Sequence, residues 1–170
     1  MVEELLMMMM NAISDILATC RSWTEPRVVK DNPFRLACRL TPPATEEEIS
    51  RAWSHTSLPC GLRELWLYSS EPELFVDVDY RQWGLKILSP KSSAARSVKE
   101  RLERPADLTD SDVIVGEFLG DQDLLVVDQD GAVLIALPLD DRADWWRPDT
   151  NLSRFFSRYV ASNGAKYWEL

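Results

Sequence analysis

The chain has 170 residues, of which 45% are apolar and 28% are charged. This length favours a single domain, and the apolar fraction excludes a chain that is disordered throughout. Six glycines and ten prolines without an internal repeat exclude collagen-like and solenoid architectures. The formal net charge of −9 repels phosphate groups and so disfavours direct nucleic-acid binding.

The first twenty residues are apolar but lack the charges of a targeting segment. Glu3 and Glu4 stand where a signal peptide has Lys or Arg, and Asn11 and Asp15 interrupt any membrane span. Apolar side chains recur at helical spacing, at Leu5, Leu6, Met9, Ile13, Ile16 and Leu17. We therefore predict that residues 1–42 form an amphipathic helix and an extended linker, in a cytoplasmic protein without membrane contact.

Met7–Met10 give this helix four flexible apolar side chains in a row. They either pack onto the domain or form a surface through which two copies make a homodimer. We expect the helix to be an appendage to the main core, so that a chain lacking residues 1–20 still folds.

Between residues 34 and 68 the sequence predicts one strand and two helices. Residues 34–40 alternate apolar and polar side chains, as a short strand does. Thr45 and Glu48 have the spacing of a capping box, which predicts the start of the first helix. Pro59 suits the first position of the second helix. The buried face of that helix is expected to contain Leu62, Leu65 and Trp66.

The remaining elements are mostly strands. We predict strands over residues 75–79 and 83–88, a basic helix over 92–104, three consecutive strands over 113–118, 124–127 and 132–137, and a last helix over 151–162. Asp130-Gly131 predicts a tight hairpin, and the unbroken apolar runs indicate strands covered on both faces. This order predicts an α+β fold: a single domain over 43–162, with a mixed or antiparallel sheet, a strand meander, flanking helices, an extra N-terminal helix and a C-terminal tail over 163–170.

Charge is unevenly distributed along the chain. Residues 105–149 contain twelve carboxylates against two arginines, whereas residues 81–104 contain seven basic and two acidic side chains. If the two stretches fold as separate faces, the molecule is strongly dipolar. An acidic face attracts a basic protein partner.

Residues typical of catalysis or metal binding are sparse. His55 is the single histidine, and Cys20, Cys38 and Cys60 are widely spaced, as expected of reduced thiols. Asp77 with Asp79, and Asp121 with Asp123, have the alternate spacing that can bind Mg²⁺, but exposed strand or turn residues explain both pairs as well. We therefore expect no enzymatic activity, no metal and no cofactor.

The segment before the last helix combines charge with aromatic side chains. Trp and Arg are frequent at the centres of interfaces, and acidic neighbours steer a basic partner. The alternative is that one tryptophan is buried under the last helix. The residues proposed here for partner binding are Asp140, Asp141, Asp144, Trp145 and Trp146. The rival site is a sheet surface of the same charge with Asp77, Asp79 and Glu117. Asp121 and Asp123 are further candidates for partner binding.

Four features follow one another along the chain: the segment 43–49, Leu58-Pro59, the strands from Val113 to Val133 with Gly120-Asp121 and Asp130-Gly131, and Phe155-Phe156 near the end. In this order they resemble the SUKH superfamily, the SMI/KNR-type domain of bacterial immunity proteins and of a fungal cell-wall regulator. The resemblance covers about residues 43–160; Tyr68-Ser69-Ser70 stands where many members have an Asn-Gly turn.

The resemblance implies a mixed sheet flanked by helices, no enzymatic activity and protein partners. In bacteria these partners are often toxins, commonly nucleases, of polymorphic or contact-dependent systems. The expected function is therefore an immunity protein that binds and neutralises a basic toxin through its acidic face. The alternative is a regulatory or scaffold protein of the same fold without a toxin partner.

Overall fold

Within the described residues, eight antiparallel strands form one sheet whose spatial order follows the chain. The structure, a computed structural model, describes residues 12–54 and 56–170. The strands are β1 Arg27–Val28, β2 Arg35–Arg39, β3 Glu73–Asp77, β4 Leu85–Ile87, β5 Val113–Phe118, β6 Leu124–Val127, β7 Val133–Ala136 and β8 Trp146–Asp149. The predicted α+β class with an antiparallel meander flanked by helices is confirmed.

The described residues form five α-helices and three short 3₁₀ helices. The α-helices are α1 Ile13–Ala18, α2 Glu46–Ala52, α3 Leu62–Tyr68, α4 Pro90–Glu103 and α5 Leu152–Ala161. The 3₁₀ helices are Thr19–Trp23, Arg142–Asp144 and Tyr167–Glu169.

The sheet separates two apolar clusters, because successive side chains of a strand point to opposite faces. Leu125 and Val127 of β6 belong to the larger cluster, which also contains buried side chains of α1, α2, α3 and α5. Leu124 and Val126 belong to the smaller cluster on the other face. There Ser93 of α4 donates to the carbonyl of Ile114. The prediction that the central strands are covered on both faces is confirmed.

Several element boundaries coincide with local sequence signals. The Thr45–Glu48 capping box is present at the start of α2, and Asn151 caps α5 by accepting from the Arg154 N–H. Gly131 has a φ of 85° in the β6–β7 hairpin, as the Asp130-Gly131 pair predicts.

The second helix begins later than predicted. Pro59 is not its first residue: Gly61 stands at the N-cap with a φ of 89°, and α3 starts at Leu62. The left-handed backbone of Gly61 forces a turn between Pro59 and the helix. The predicted buried face of Leu62, Leu65 and Trp66 is nevertheless confirmed.

The described part of the N-terminal helix is built into the domain. Ile13, Ile16 and Leu17 of α1 are buried in the larger cluster, together with Cys20 of the following 3₁₀ turn. The prediction that this helix lies outside the main core is therefore wrong for the described residues. An apolar stripe in the sequence indicates that a helix packs against another element, but it does not indicate which element that is. Met7–Met10 and the contact between two copies proposed for them lie outside the described residues, as does His55.

The last eight residues, expected to be a tail, also contact the core. Trp168 packs against Phe118, Phe155 and Tyr159, with ring centroids 5.4, 5.8 and 6.3 Å apart. This contact places the C-terminal 3₁₀ helix against α5 and β5.

Candidate protein-binding site

The connection between β7 and β8, which we call the acidic loop (residues 137–145), brings the predicted charge and apolar surface together. Asp140, Asp141 and Asp144 are exposed, and within the described part of the chain their side chains make no ion pair. Leu139 beside them is 97% exposed, and Trp146 at the start of β8 is 40% exposed. Exposed carboxylates next to exposed apolar area are what a basic protein partner requires.

Hydrogen bonds from two arginines tie the acidic loop to neighbouring segments. The guanidinium of Arg142 donates to both carboxylate oxygens of Asp112, at 2.7 and 3.1 Å, and to the carbonyl of Asp107 at 2.8 Å. Arg104 at the end of α4 donates to the carbonyl oxygens of Leu137 and Asp140. Because the loop is already ordered, binding through it costs little conformational entropy.

Trp145 is not available to a partner. Its side chain is 4% exposed and belongs to the smaller cluster, and its indole N–H donates to the carbonyl of Asp140 at 3.0 Å. The guanidinium groups of Arg104 and Arg142 lie 5.2 and 5.5 Å from its ring centroid. The proposal of Trp145 as a contact residue is thus corrected: it is an anchor of the acidic loop, and Trp146 is the exposed member of the pair.

The rival set of carboxylates is not a single acidic surface. Asp77 is fully buried, and its carboxylate accepts hydrogen bonds from the backbone N–H groups of Asp79, Tyr80 and Gln82. Asp79 pairs with Arg35 through two hydrogen bonds of 2.7 and 2.9 Å. Asp77 therefore organises a turn and is closed to a partner, since its carboxylate is buried and backbone donors already occupy three of its roughly four lone-pair positions.

The remaining candidate carboxylates are also paired with basic side chains. A carboxylate oxygen of Glu117 lies 3.1 Å from a guanidinium nitrogen of Arg96 in α4. Asp121 and Asp123 both form an ion pair with the amino group of Lys166. Asp123 is buried, which raises the pKa of its carboxyl group, and Lys166 offsets only part of that rise. The proposal of Asp77 and Asp123 as contact residues is corrected, because both are buried.

The acidic and basic stretches do not fold as separate faces. Arg96 of the basic helix α4 pairs with Glu117 of the acidic stretch, and Arg104, directly after the helix, pairs with Asp107. The strong dipole expected from the linear charge map is therefore reduced by pairing between the two stretches. Asp140, Asp141 and Asp144 of the acidic loop take part in neither of these pairs.

The sequence analysis does not identify two residues of the candidate site, Arg142 and Leu139. In the sequence Arg142 is one basic residue within a charged segment, and its contact with Asp112 shows that it holds the acidic loop. Leu139 had a detectable signal, since a leucine between Pro138 and Asp140 stands outside any apolar run.

Two further properties concern the part of the chain that the structure describes. No group of three or more Cys, Asp or Glu side chains there has the geometry to hold a metal ion. None of the helices described has both the length and the apolar character needed to cross a bilayer.

Comparison with protein-family models gives no match to this chain, and comparison with curated proteins gives none either.

Proposed function

We propose that this protein is a non-enzymatic immunity protein that binds and neutralises a basic protein toxin in the cytoplasm. The observation that carries the proposal is the acidic loop, where three carboxylates that form no ion pair with any described residue stand beside exposed Leu139 and Trp146. The motifs that resemble the SUKH superfamily give the class of function. The mechanism is occlusion, in which the acidic loop covers the basic substrate-binding cleft of the toxin.

The two kinds of side chain in this site act at different stages of binding. Exposed carboxylates accelerate encounter with a basic surface, and salt screens them over about 8 Å at physiological ionic strength. Trp146 and Leu139 act after encounter, when water leaves the contact. Since Arg142 and Trp145 hold the loop, the apolar side chains are presented in a fixed arrangement.

The experiment begins with the gene that lies directly upstream. We expect its product to be toxic when expressed alone and harmless when this protein is coexpressed. A neighbouring gene without toxicity would favour the regulatory or scaffold function instead. Hydrolysis of esters, phosphoesters or glycosides by the purified protein above background would contradict a function limited to binding.

Binding kinetics with that toxin then test the site. Replacing Asp140, Asp141 and Asp144 by Asn should slow association several-fold and flatten its dependence on salt, with little change in dissociation. The control changes three other exposed carboxylates and alters the net charge equally: Glu25→Gln, Asp31→Asn and Glu71→Gln. If both triple variants slow association equally, net charge rather than the acidic loop is responsible.

Trp146→Ala should speed dissociation and weaken binding by about 2 kcal/mol. Tyr80→Ala, which also removes an exposed aromatic side chain, is the control. Unaltered rates for both the triple Asn variant and Trp146→Ala would place the toxin elsewhere on the molecule.

A further inference from the structure

The edge of the sheet near β2 is incompletely paired. In the part of the chain that the structure describes, β1 pairs only with Arg35 and Leu36 of β2. Residues 37–39 therefore have a neighbouring strand, β3, on one side only. An open stretch of strand edge is a template on which another strand can add.

A groove of about 880 Å³ includes this open edge and continues across β2 onto β3. One wall contains Cys20, Arg21 and Thr24 beside the open edge, and the other is formed by β3 and the turn that follows it. Ala37, Val76 and Val78 contribute apolar surface between them. The groove is therefore large enough for several residues of an extended peptide, with apolar surface for its side chains.

Three arginines line the groove against a single carboxylate. Arg81 and Arg39 both approach the same oxygen of Glu73, at 3.0 and 3.6 Å. Arg21, on the opposite wall, donates from Nε to the hydroxyl of Tyr68. One carboxylate cannot neutralise three guanidinium groups, so the groove keeps positive charge and free donors in a protein of net charge −9.

The position of Arg81 is fixed by its backbone. Arg81 has a φ of 53°, in the left-handed region that residues other than glycine rarely adopt. The buried Asp77 carboxylate holds the turn around it, through the N–H groups of Asp79, Tyr80 and Gln82. The guanidinium is thereby directed to Glu73 at the side of the groove.

We propose that this groove binds an extended acidic segment of another protein, which adds as a strand to the open edge of β2. Backbone hydrogen bonds to β2 supply affinity, and carboxylates of the added segment pair with Arg21, Arg39 and Arg81. This surface is distinct from the acidic loop and opposite to it in charge. It lies near the β1 edge of the sheet, whereas the acidic loop lies near the β8 edge, so the proposal does not depend on the toxin.

The test uses the full chain and a library of random twelve-residue peptides. We expect the selected peptides to carry Asp or Glu at alternate positions between apolar residues. With one selected peptide made synthetically, Arg39→Glu should weaken binding at least tenfold. Arg51→Glu is the matched control, because Arg51 is also exposed and also pairs with a glutamate, Glu47. Bound peptide should slow hydrogen exchange of the backbone amides at residues 37–40.

Three results would overturn the proposal. The first is a selection that yields no binder, or only basic ones. The second is a peptide whose affinity is unchanged by Arg39→Glu, or that leaves exchange at residues 37–40 unaltered. The third is displacement of the peptide by equimolar free glutamate or phosphate, which would identify the groove as a site for small anions.

Discussion

The guanidinium Nη1 of Arg142 lies 2.7 Å from carboxylate oxygen Oδ2 of Asp112, which is 1% exposed. Thirty residues separate the two side chains in the sequence. The same carboxylate oxygen accepts the backbone N–H of Thr109. This buried pair joins the acidic loop to the turn before β5, so the order of the candidate site depends on it.

Asp112→Ala should therefore lower the free energy of unfolding by about 2–4 kcal/mol, since it leaves the partly buried guanidinium of Arg142 and the Thr109 N–H without this acceptor. Chemical denaturation measures the change. Asp110→Ala, an exposed aspartate two residues away, should stay within about 0.5 kcal/mol of the wild type. Equal effects of the two substitutions would contradict the anchoring role of Asp112.

The two adjacent tryptophans should respond differently to truncation. Trp145→Ala removes a buried indole from the smaller cluster and should cost about 3–5 kcal/mol of stability. Trp146→Ala removes a half-exposed side chain and should cost less than about 1 kcal/mol. Thermal unfolding of both variants measures the two losses of stability. A large loss for Trp146→Ala would make it a core residue and remove it from the candidate site.

The packing of α1 predicts that the domain needs it. Leu17→Ala should destabilise the protein by about 2–5 kcal/mol, because the side chain is fully buried among core residues. Asp15→Ala, on the exposed side of the same helix, should have little effect. Urea unfolding measures both. A stable Leu17→Ala variant would restore the view of the helix as an appendage.

Gly164 and Gly131 both have positive φ, at 79° and 85°, but different surroundings. A Cβ added at Gly164 would overlap the Cβ of the buried Phe75, whereas one added at Gly131 has nothing within 4 Å. Gly131→Ala should cost only the backbone strain, about 1 kcal/mol. Gly164→Ala should lower the stability clearly more than Gly131→Ala does. Thermal unfolding of the two variants measures the difference. Equal decreases in melting temperature would show that Phe75 moves to make room for the added Cβ.

The raised pKa of Asp123 predicts a pH dependence of stability. Burial is its main cause, partly offset by Lys166. The folded protein therefore holds this proton more tightly than the unfolded chain does. From about pH 4, the ordinary value, up to the raised pKa, rising pH should lower stability through this group.

Asp123→Asn should lack that contribution, while Asp121 still pairs with Lys166. The difference in unfolding free energy between wild type and variant should therefore shift in favour of the variant as the pH rises through this range. A difference that is constant, or that shifts in favour of the wild type, would show that the pKa of Asp123 is not raised.

Local signals were sufficient for most of the fold. The apolar run of β6 predicts a strand covered on both faces, and the Thr45–Glu48 and Asp130-Gly131 motifs mark a helix start and a hairpin. These features depend on near neighbours in the chain, through backbone conformation and short-range hydrogen bonds. The start of α3 at Leu62 differs from the predicted start at Pro59. The left-handed backbone of Gly61 sets the start of the helix, and Pro59 is the stronger local signal for a helix start.

For the candidate site too, the sequence predicts some features and only the fold shows the others. The sequence alone determined the excess of carboxylates in residues 105–149 and the presence of tryptophan beside three of them. Only the tertiary structure decided which of these groups are available. Asp112, Asp123 and Trp145 are buried against partners 30, 43 and 5 residues away, respectively, while Asp140, Asp141 and Asp144 remain exposed and unpaired in the described chain. The physical reason is that composition gives the number of charges, whereas pairing and burial depend on distances that the folded chain creates.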